Sequence, residues 1–158
     1  MCDKKIKIRP ASNIDRDEIY AWRNDPVSRS MSFNNSIVLY EEHRNWFENS
    51  LINVNRKLYI GEVAGSKIGI CRFDLNATDS SVEVSINMNP TSRGCGFGKK
   101  FLASCVELYL KDNQHNLLAK IKPDNIASLK IFKSVGFKPI SSNADMITLR
   151  KSEQRKRK

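Results

Sequence analysis

Ser85-Ile86-Asn87-Met88-Asn89-Pro90-Thr91-Ser92-Arg93-Gly94-Cys95-Gly96-Phe97-Gly98-Lys99-Lys100-Phe101-Leu102 decides the fold of this chain. Leading into it, Val82, Val84 and Ile86 alternate with Glu83, Ser85 and Asn87, the period of a strand with one buried face. Beyond it, Leu102, Cys105, Val106 and Tyr109 recur at helical spacing. Between strand and helix lies a turn with glycine at positions 94, 96 and 98. Without a Cβ the backbone can turn sharply there and leave its N–H groups bare. Bare amides at a helix N-terminus, where the dipole is positive, favour an anion. Lys99 and Lys100 add charge, and the stretch reads as a cradle for phosphate or pyrophosphate. The alternative is a tight strand-to-helix connection without a ligand. Two rival phosphate motifs are set aside. No GxxxxGK[ST] is present, and a dinucleotide GxGxxG would need glycine at position 99, which is Lys99.

The chain reads outward from that point. A first strand is predicted over Lys5–Arg9, then a helix through Glu18, Ile19 and Trp22, capped by Asn13 or Asp15. Asn24-Asp25-Pro26 ends it, because the residue before proline avoids the helical region. Residues 27–38 read as a polar connection. A second helix spans 40–52, with His43, Trp46, Phe47, Ser50 and Leu51 on one face and Glu41 and Glu42 in the first turn. Strands follow over 57–63 and 68–75, joined at Ala64-Gly65-Ser66-Lys67, and over 81–88. After the glycine turn come a helix to Asp112, a strand over 117–121, a helix over 125–135 stopped by Gly136, and strands over 137–140 and 146–149. The order β-α-α-β-β-β-α-β-α-β-β gives an α/β or α+β domain with a mixed sheet.

Two motifs carry a family resemblance. Arg93-x-x-Gly96-x-Gly98 is similar to the R/Q-x-x-G-x-G/A acetyl-CoA motif of the GNAT N-acetyltransferases. Asn125-Ile126-Ala127-Ser128-Leu129-Lys130-Ile131-Phe132-Lys133-Ser134-Val135-Gly136-Phe137 resembles the family's N-x-x-S/A-x-x-x-Y/F-x-x-x-G-F signature. The resemblance covers residues 6–149. It implies the acyl-CoA N-acyltransferase fold, a mixed sheet of about seven strands flanked by about four helices, two central strands splaying apart at the cofactor. It implies acetyl-CoA as cofactor, its pantetheine arm along Ile86, Asn87 and Met88. The Ile86 or Met88 N–H would lie near the thioester oxygen. It further implies pyrophosphate on the amides of Arg93, Gly94, Cys95, Gly96, Phe97, Gly98 and Lys99, with Asn125, Ser128 and Phe132 completing the cofactor wall.

Acetyl transfer to an amine needs a deprotonated nucleophile, a polarised carbonyl and a proton for the departing thiolate. Glu83, on the polar face of the strand entering the cradle, is the first candidate base; an ordinary exposed strand glutamate is the alternative. The family often has tyrosine as general acid where this chain has Phe132, which has no proton to give. Ser128, Tyr109, Tyr40 or solvent could substitute.

Acceptor choice rests on the N-terminal half. Trp22-Arg23-Asn24-Asp25-Pro26 and Glu41-Glu42-His43-x-x-Trp46-Phe47 look similar to two branches of the family. One acetylates nucleotide-linked amino sugars in the biosynthesis of pseudaminic or legionaminic acid; the other acetylates protein N-termini. The motif pair in a short chain favours the sugar branch, although Leu39 stands where that branch has a Ser or Thr cap. The expected acceptor is the 4-amino group of a UDP-linked amino sugar. Arg23, Asn24, Arg29, His43 and Trp46 are the substrate-binding candidates; the alternatives are packing for His43 and Trp46 and a salt bridge for the arginines. A CoA-binding module without catalysis is a further alternative.

Composition bounds these readings. The chain has 158 residues, 40% hydrophobic and 28% charged, which suits one globular domain over residues 1–149. No apolar run is long enough to span a membrane and no apolar signal core opens the chain, so a cytoplasmic protein is expected. The four cysteines match no metal spacing, and no metal is expected. Net charge is +10, and the tail 150–158 holds six cations and one anion. The tail is expected to be solvated and disordered; contact with RNA, an anionic membrane or a phosphorylated substrate is the alternative. Nucleic acid is not an expected partner, because the interior lacks interleaved aromatic and basic residues. A homodimer is left open.

Overall fold

The computed structural model describes residues 4–152. Its elements are β1 (Lys7–Pro10), α1 (Arg16–Asn24), α2 (Pro26–Ser30), α3 (Tyr40–Ile52), β2 (Arg56–Val63), β3 (Ser66–Leu75), β4 (Val82–Met88), α4 (Phe97–Asp112), β5 (Leu117–Ile121), α5 (Ile126–Ser134), β6 (Lys138–Ser142) and β7 (Ile147–Lys151). The strands form one sheet in the order β1-β2-β3-β4-β5-β7-β6. Every neighbouring pair is antiparallel except β4 and β5, which are parallel and joined through α4. This is the mixed seven-stranded α/β sheet that the motifs imply, with five helices among the described residues rather than four.

Period-2 alternation divides the sheet into two faces. Cys71, Phe73, Val82 and Val84 pack against Phe101, Leu102, Cys105, Val106 and Tyr109 of α4 and against Leu129 and Phe132 of α5. On the other face Leu58, Ile60 and Ile70 pack against Ile19 and Trp22 of α1 and Phe47 of α3. The cross-strand pairs Ile70↔Asn87, Arg72↔Ser85 and Asp74↔Glu83 therefore point to the α1–α3 side.

Three expectations are corrected. Residues 27–38 are not wholly irregular: Pro26 opens α2 at its first position, and Asp25 caps it by accepting from the Ser28 N–H at 3.1 Å. One turn is too short to show apolar periodicity, and none of its residues is buried. Asp15 occupies the N-cap place of α1 without capping it; its carboxylate accepts from Arg9 instead. Arg150 and Lys151, assigned to the tail, belong to β7, where they pair with Leu118 and Leu117 of β5. Strand pairing satisfies their backbones whatever charge their side chains carry. The rest of the basic tail lies outside the described residues. No helix among the described residues is long and apolar enough to cross a membrane.

Candidate active site

The site begins where β4 and β5 part. They pair at Val82↔Leu117 and Glu83↔Leu118 and no further, although β4 runs on to Met88 and β5 to Ile121. The backbone of Ile86–Met88 thus faces a gap rather than a neighbouring strand. A cavity of about 930 Å³ fills the split and takes residues from both faces of the sheet.

On the α4 side the wall is the glycine turn. Gly94 and Gly96 take φ of 74° and 78°, and a Cβ at either would meet nothing within 4 Å, so the backbone there is open. Gly96 is the N-cap of α4 and offers no side-chain cap, leaving the first amides of the helix to another acceptor. Gly98 has a different reason to be glycine. It lies within α4, and a Cβ there would come within 2.5 Å of Ile131 Cδ1, so it lets α4 and α5 approach. Opposite, Asn125 caps α5 by accepting from the Ser128 N–H at 3.2 Å, which fixes it at the cavity wall beside Ser128 and Phe132. Phe132 is buried and meets Phe137 edge to face at 5.0 Å between centroids. Of the cofactor candidates only Cys95 is not on the wall.

The α1–α3 side is polar and carries charges of both signs. Arg23, Arg72, His43, Trp46, Glu42 and Glu83 line it. Arg23 donates to Ser32 Oγ at 3.3 Å and to the Asn34 carbonyl at 2.9 Å. Burial lowers its pKa, and the neighbouring charges of Arg72 and Arg29 lower it further. Arg72 lies 2.9 Å from Asp74 Oδ2 and places its guanidinium 5.7 Å from the Trp46 ring centroid. Arg56 approaches the same ring at 5.4 Å. His43 Nε2 is 2.9 Å from the Arg16 carbonyl, and burial holds the ring below the ordinary histidine range. His43 is thus a packed residue at the cavity edge, stacked on Phe47.

Two substrate candidates do not line the cavity. Asn24 gives its carboxamide to the Val38 backbone, donating to the carbonyl and accepting from the N–H, both at 2.8 Å. Arg29 donates to the Asn24 carbonyl at 3.2 Å. Glu83 does line the cavity, at the closed end of the split, 3.7 Å from Lys120 Nζ. Of the proposed proton donors Ser128 alone lines the cavity. Tyr40 donates to Asp17 at 3.0 Å, and Tyr109 lies buried with its hydroxyl 3.0 Å from His115 Nδ1. Arg72 was missed by the sequence reading. Its signal was present: Ile70, Arg72 and Asp74 share the face of β3 turned away from α4. Among the described residues no cluster of His, Cys, Asp or Glu could hold a metal ion.

Comparison with known proteins places this geometry. Residues 5–138 match the family described as acetyltransferase (GNAT) domain. L-Methionine sulfoximine/L-methionine sulfone acetyltransferase of Pseudomonas aeruginosa is 25% identical over 135 residues, 82% of this chain and 78% of that protein. Among solved structures, a domain from Methanocaldococcus jannaschii has a TM-score of 0.79 at 25% identity, over 94% of this chain and 98% of that one. A Salmonella typhimurium protein with its cofactor acetyl-CoA has a TM-score of 0.79 at 21% identity, covering 98% and 97%. Spermidine N-acetyltransferase of Vibrio cholerae, in complex with CoA and spermine, has a TM-score of 0.78 at 15% identity, covering 92% of each chain. The last two are likenesses of fold alone.

Proposed function

The chain belongs to the GNAT acetyltransferase family and is an acetyl-CoA-dependent N-acetyltransferase; on that premise we propose that it acetylates the 4-amino group of a UDP-linked amino sugar. The observation that carries this reading is the pair Arg23 and Arg72 on one wall of the cavity, close enough for each charge to be felt by the other. Arg72 is already paired with Asp74, whereas Arg23 among the described residues meets only the neutral acceptors of Ser32 and Asn34, so its guanidinium is the charge that a diphosphate would meet. The Trp46 ring on the same wall offers a face against which a base or sugar can pack.

The cradle fits acetyl-CoA. The open backbone at Gly94 and Gly96 and the uncapped start of α4 suit its pyrophosphate, and the unpaired edge of β4 suits an extended amide-bearing arm. Bound acetyl-CoA supplies an activated acetyl thioester to the split. The β4 backbone at Ile86–Met88 would hold that end and could offer an N–H to its carbonyl oxygen. Glu83, 3.7 Å from Lys120 Nζ, would take the proton of the acceptor ammonium, directly or through water. Ser128, on the opposite wall, would relay a proton from solvent to the departing thiolate, giving up its own as it gains one.

Replacing Glu83 with glutamine is expected to lower kcat/KM by about 100-fold, the usual worth of a positioned base, with acetyl-CoA affinity little changed. An unchanged kcat/KM would return Glu83 to the role of an exposed strand residue.

The same arginine pair supports a second reading, because the α-carboxylate of an amino acid would also satisfy it and the Pseudomonas relative is named for such a substrate. Thiol release from acetyl-CoA against UDP-amino sugars, methionine sulfoximine-type amino acids and N-terminal peptides separates the cases. Turnover confined to the UDP-4-amino sugars is the expected result. Turnover of the amino acids alone, or of the peptides alone, would replace it.

A further inference from the structure

The side chain of Arg93 points away from the phosphate cradle. Its Nη1 lies 2.9 Å from Asp25 Oδ2, and its Nη2 donates to Ser28 Oγ at 2.7 Å. Ser28 in turn donates to Asn87 Oδ1 of β4 at 3.0 Å. From the far side of the split, just beyond β5, Lys122 Nζ donates to the Ser30 carbonyl at 3.1 Å. These bonds hold α2 to both strands that part around the cofactor gap, so the helix straddles it. α2 buries no residue of its own, so polar ties rather than packing set its place. It also walls the acceptor side of the cavity through Val27 and Ser28.

We propose that Arg93 is a positioning residue for the acceptor side: it stands in the loop that leads into the cofactor cradle while its guanidinium latches α2 across the split. The fork geometry carries the argument. One guanidinium meets a carboxylate and a hydroxyl on successive turns of chain, and Asp25 simultaneously caps α2. A side chain so engaged is not aimed at a pyrophosphate. The N–H of Arg93, which the motif assigns to pyrophosphate, instead donates to the Pro90 carbonyl at 3.4 Å and closes the turn before the glycines. Ordering the glycine turn by ligand therefore stiffens the loop that carries Arg93, and through it α2. The inference rests on the family's use of CoA and not on which amine is the acceptor.

Hydrogen exchange of residues 26–32, with and without saturating CoA, tests it. In the wild-type protein CoA is expected to slow exchange there by about tenfold, the worth of one charge-assisted hydrogen bond made firm. In Arg93→Gln the free protein exchanges faster in this segment, and CoA no longer slows it. Asp25→Asn reproduces the loss of coupling, and the double variant adds nothing to it. Two results would overturn the proposal. One is CoA protection of residues 26–32 that persists in Arg93→Gln. The other is CoA affinity that falls by tenfold or more in that variant with exchange in α2 unaltered, which would make the side chain a phosphate ligand.

Discussion

Replacing Gly96 with valine is expected to weaken acetyl-CoA binding by about 100-fold or more while leaving the protein folded. Gly96 is the N-cap of α4 at φ 78°, a conformation in which a β-branched residue is strained by about 1–3 kcal/mol. Nothing crowds the position, so the backbone can relax by moving toward an ordinary φ, and the strain does not unfold the core. That movement turns the first amides of α4 away from the cavity. Each hydrogen bond from an amide to a phosphate oxygen is worth about 1.5–3 kcal/mol, so loss of two suffices for the predicted change. Calorimetric titration with acetyl-CoA measures it, with a thermal melt as control. Affinity within a few-fold of wild type would mean that the turn is a connection and holds no phosphate. The contrast is Gly98→Val. Its Cβ would strike Ile131, so that variant is expected to lose stability by about 1–3 kcal/mol through overpacking between α4 and α5.

The second large effect is structural. Asp15 is fully buried beneath the β1–α1 corner. Its two oxygens accept from the fork of Arg9 at 2.7 and 2.8 Å, one also accepts from the Ser12 N–H at 2.9 Å, and Lys67 Nζ lies 3.0 Å away. Burial pushes the carboxyl up, but the guanidinium, the amide and the ammonium together outweigh it and hold the pKa at about 2. Asp15→Asn keeps the shape and removes the charge, leaving two largely buried cations with only Glu62 and Glu18. The expected loss is about 3 kcal/mol, or about 6–12 °C in Tm for a domain of this size. The pH dependence has a definite sign. A carboxyl lowered on folding stabilises above its unfolded pKa, so the contribution is whole above pH 4, by about 2 kcal/mol, and disappears as pH falls through about 2. Denaturant melts at stepped pH should show the two proteins converging by that amount between pH 4 and 2. A constant gap would mean that packing, not charge, holds the corner.

The two predictions differ in what made their residues visible. Gly96 stands in a motif whose chemistry is local. An amide turn followed at once by a helix is an anion site wherever the chain takes it, and neighbours in sequence are neighbours in space. The same holds for Asn125, which caps the helix it begins, and for the alternation that turns Val82 and Val84 toward α4 and Glu83 and Ser85 the other way. Asp15 was legible only as a helix cap. That its carboxylate belongs to Arg9 and Lys67 depends on β1 and β3 lying on opposite sides of β2 in the sheet, with α1 above them.

The sequence by itself determined the order of the seven strands and of every helix but the short α2, the phosphate turn, the second motif in α5 and, from these, the family. Those features rest on periods of two and 3.6 residues and on turns that close within a few residues, where backbone sterics leave few alternatives. Tertiary structure alone decided the acceptor wall. It set Arg72 beside Arg23, gave Asn24 to Val38, took Tyr40 and Tyr109 out of reach of the cavity and turned Arg93 toward Asp25. Each of these contacts joins residues distant in sequence or picks one partner among several nearby. Such choices are settled by which surfaces the packed sheet brings together and which polar groups burial forces to find partners.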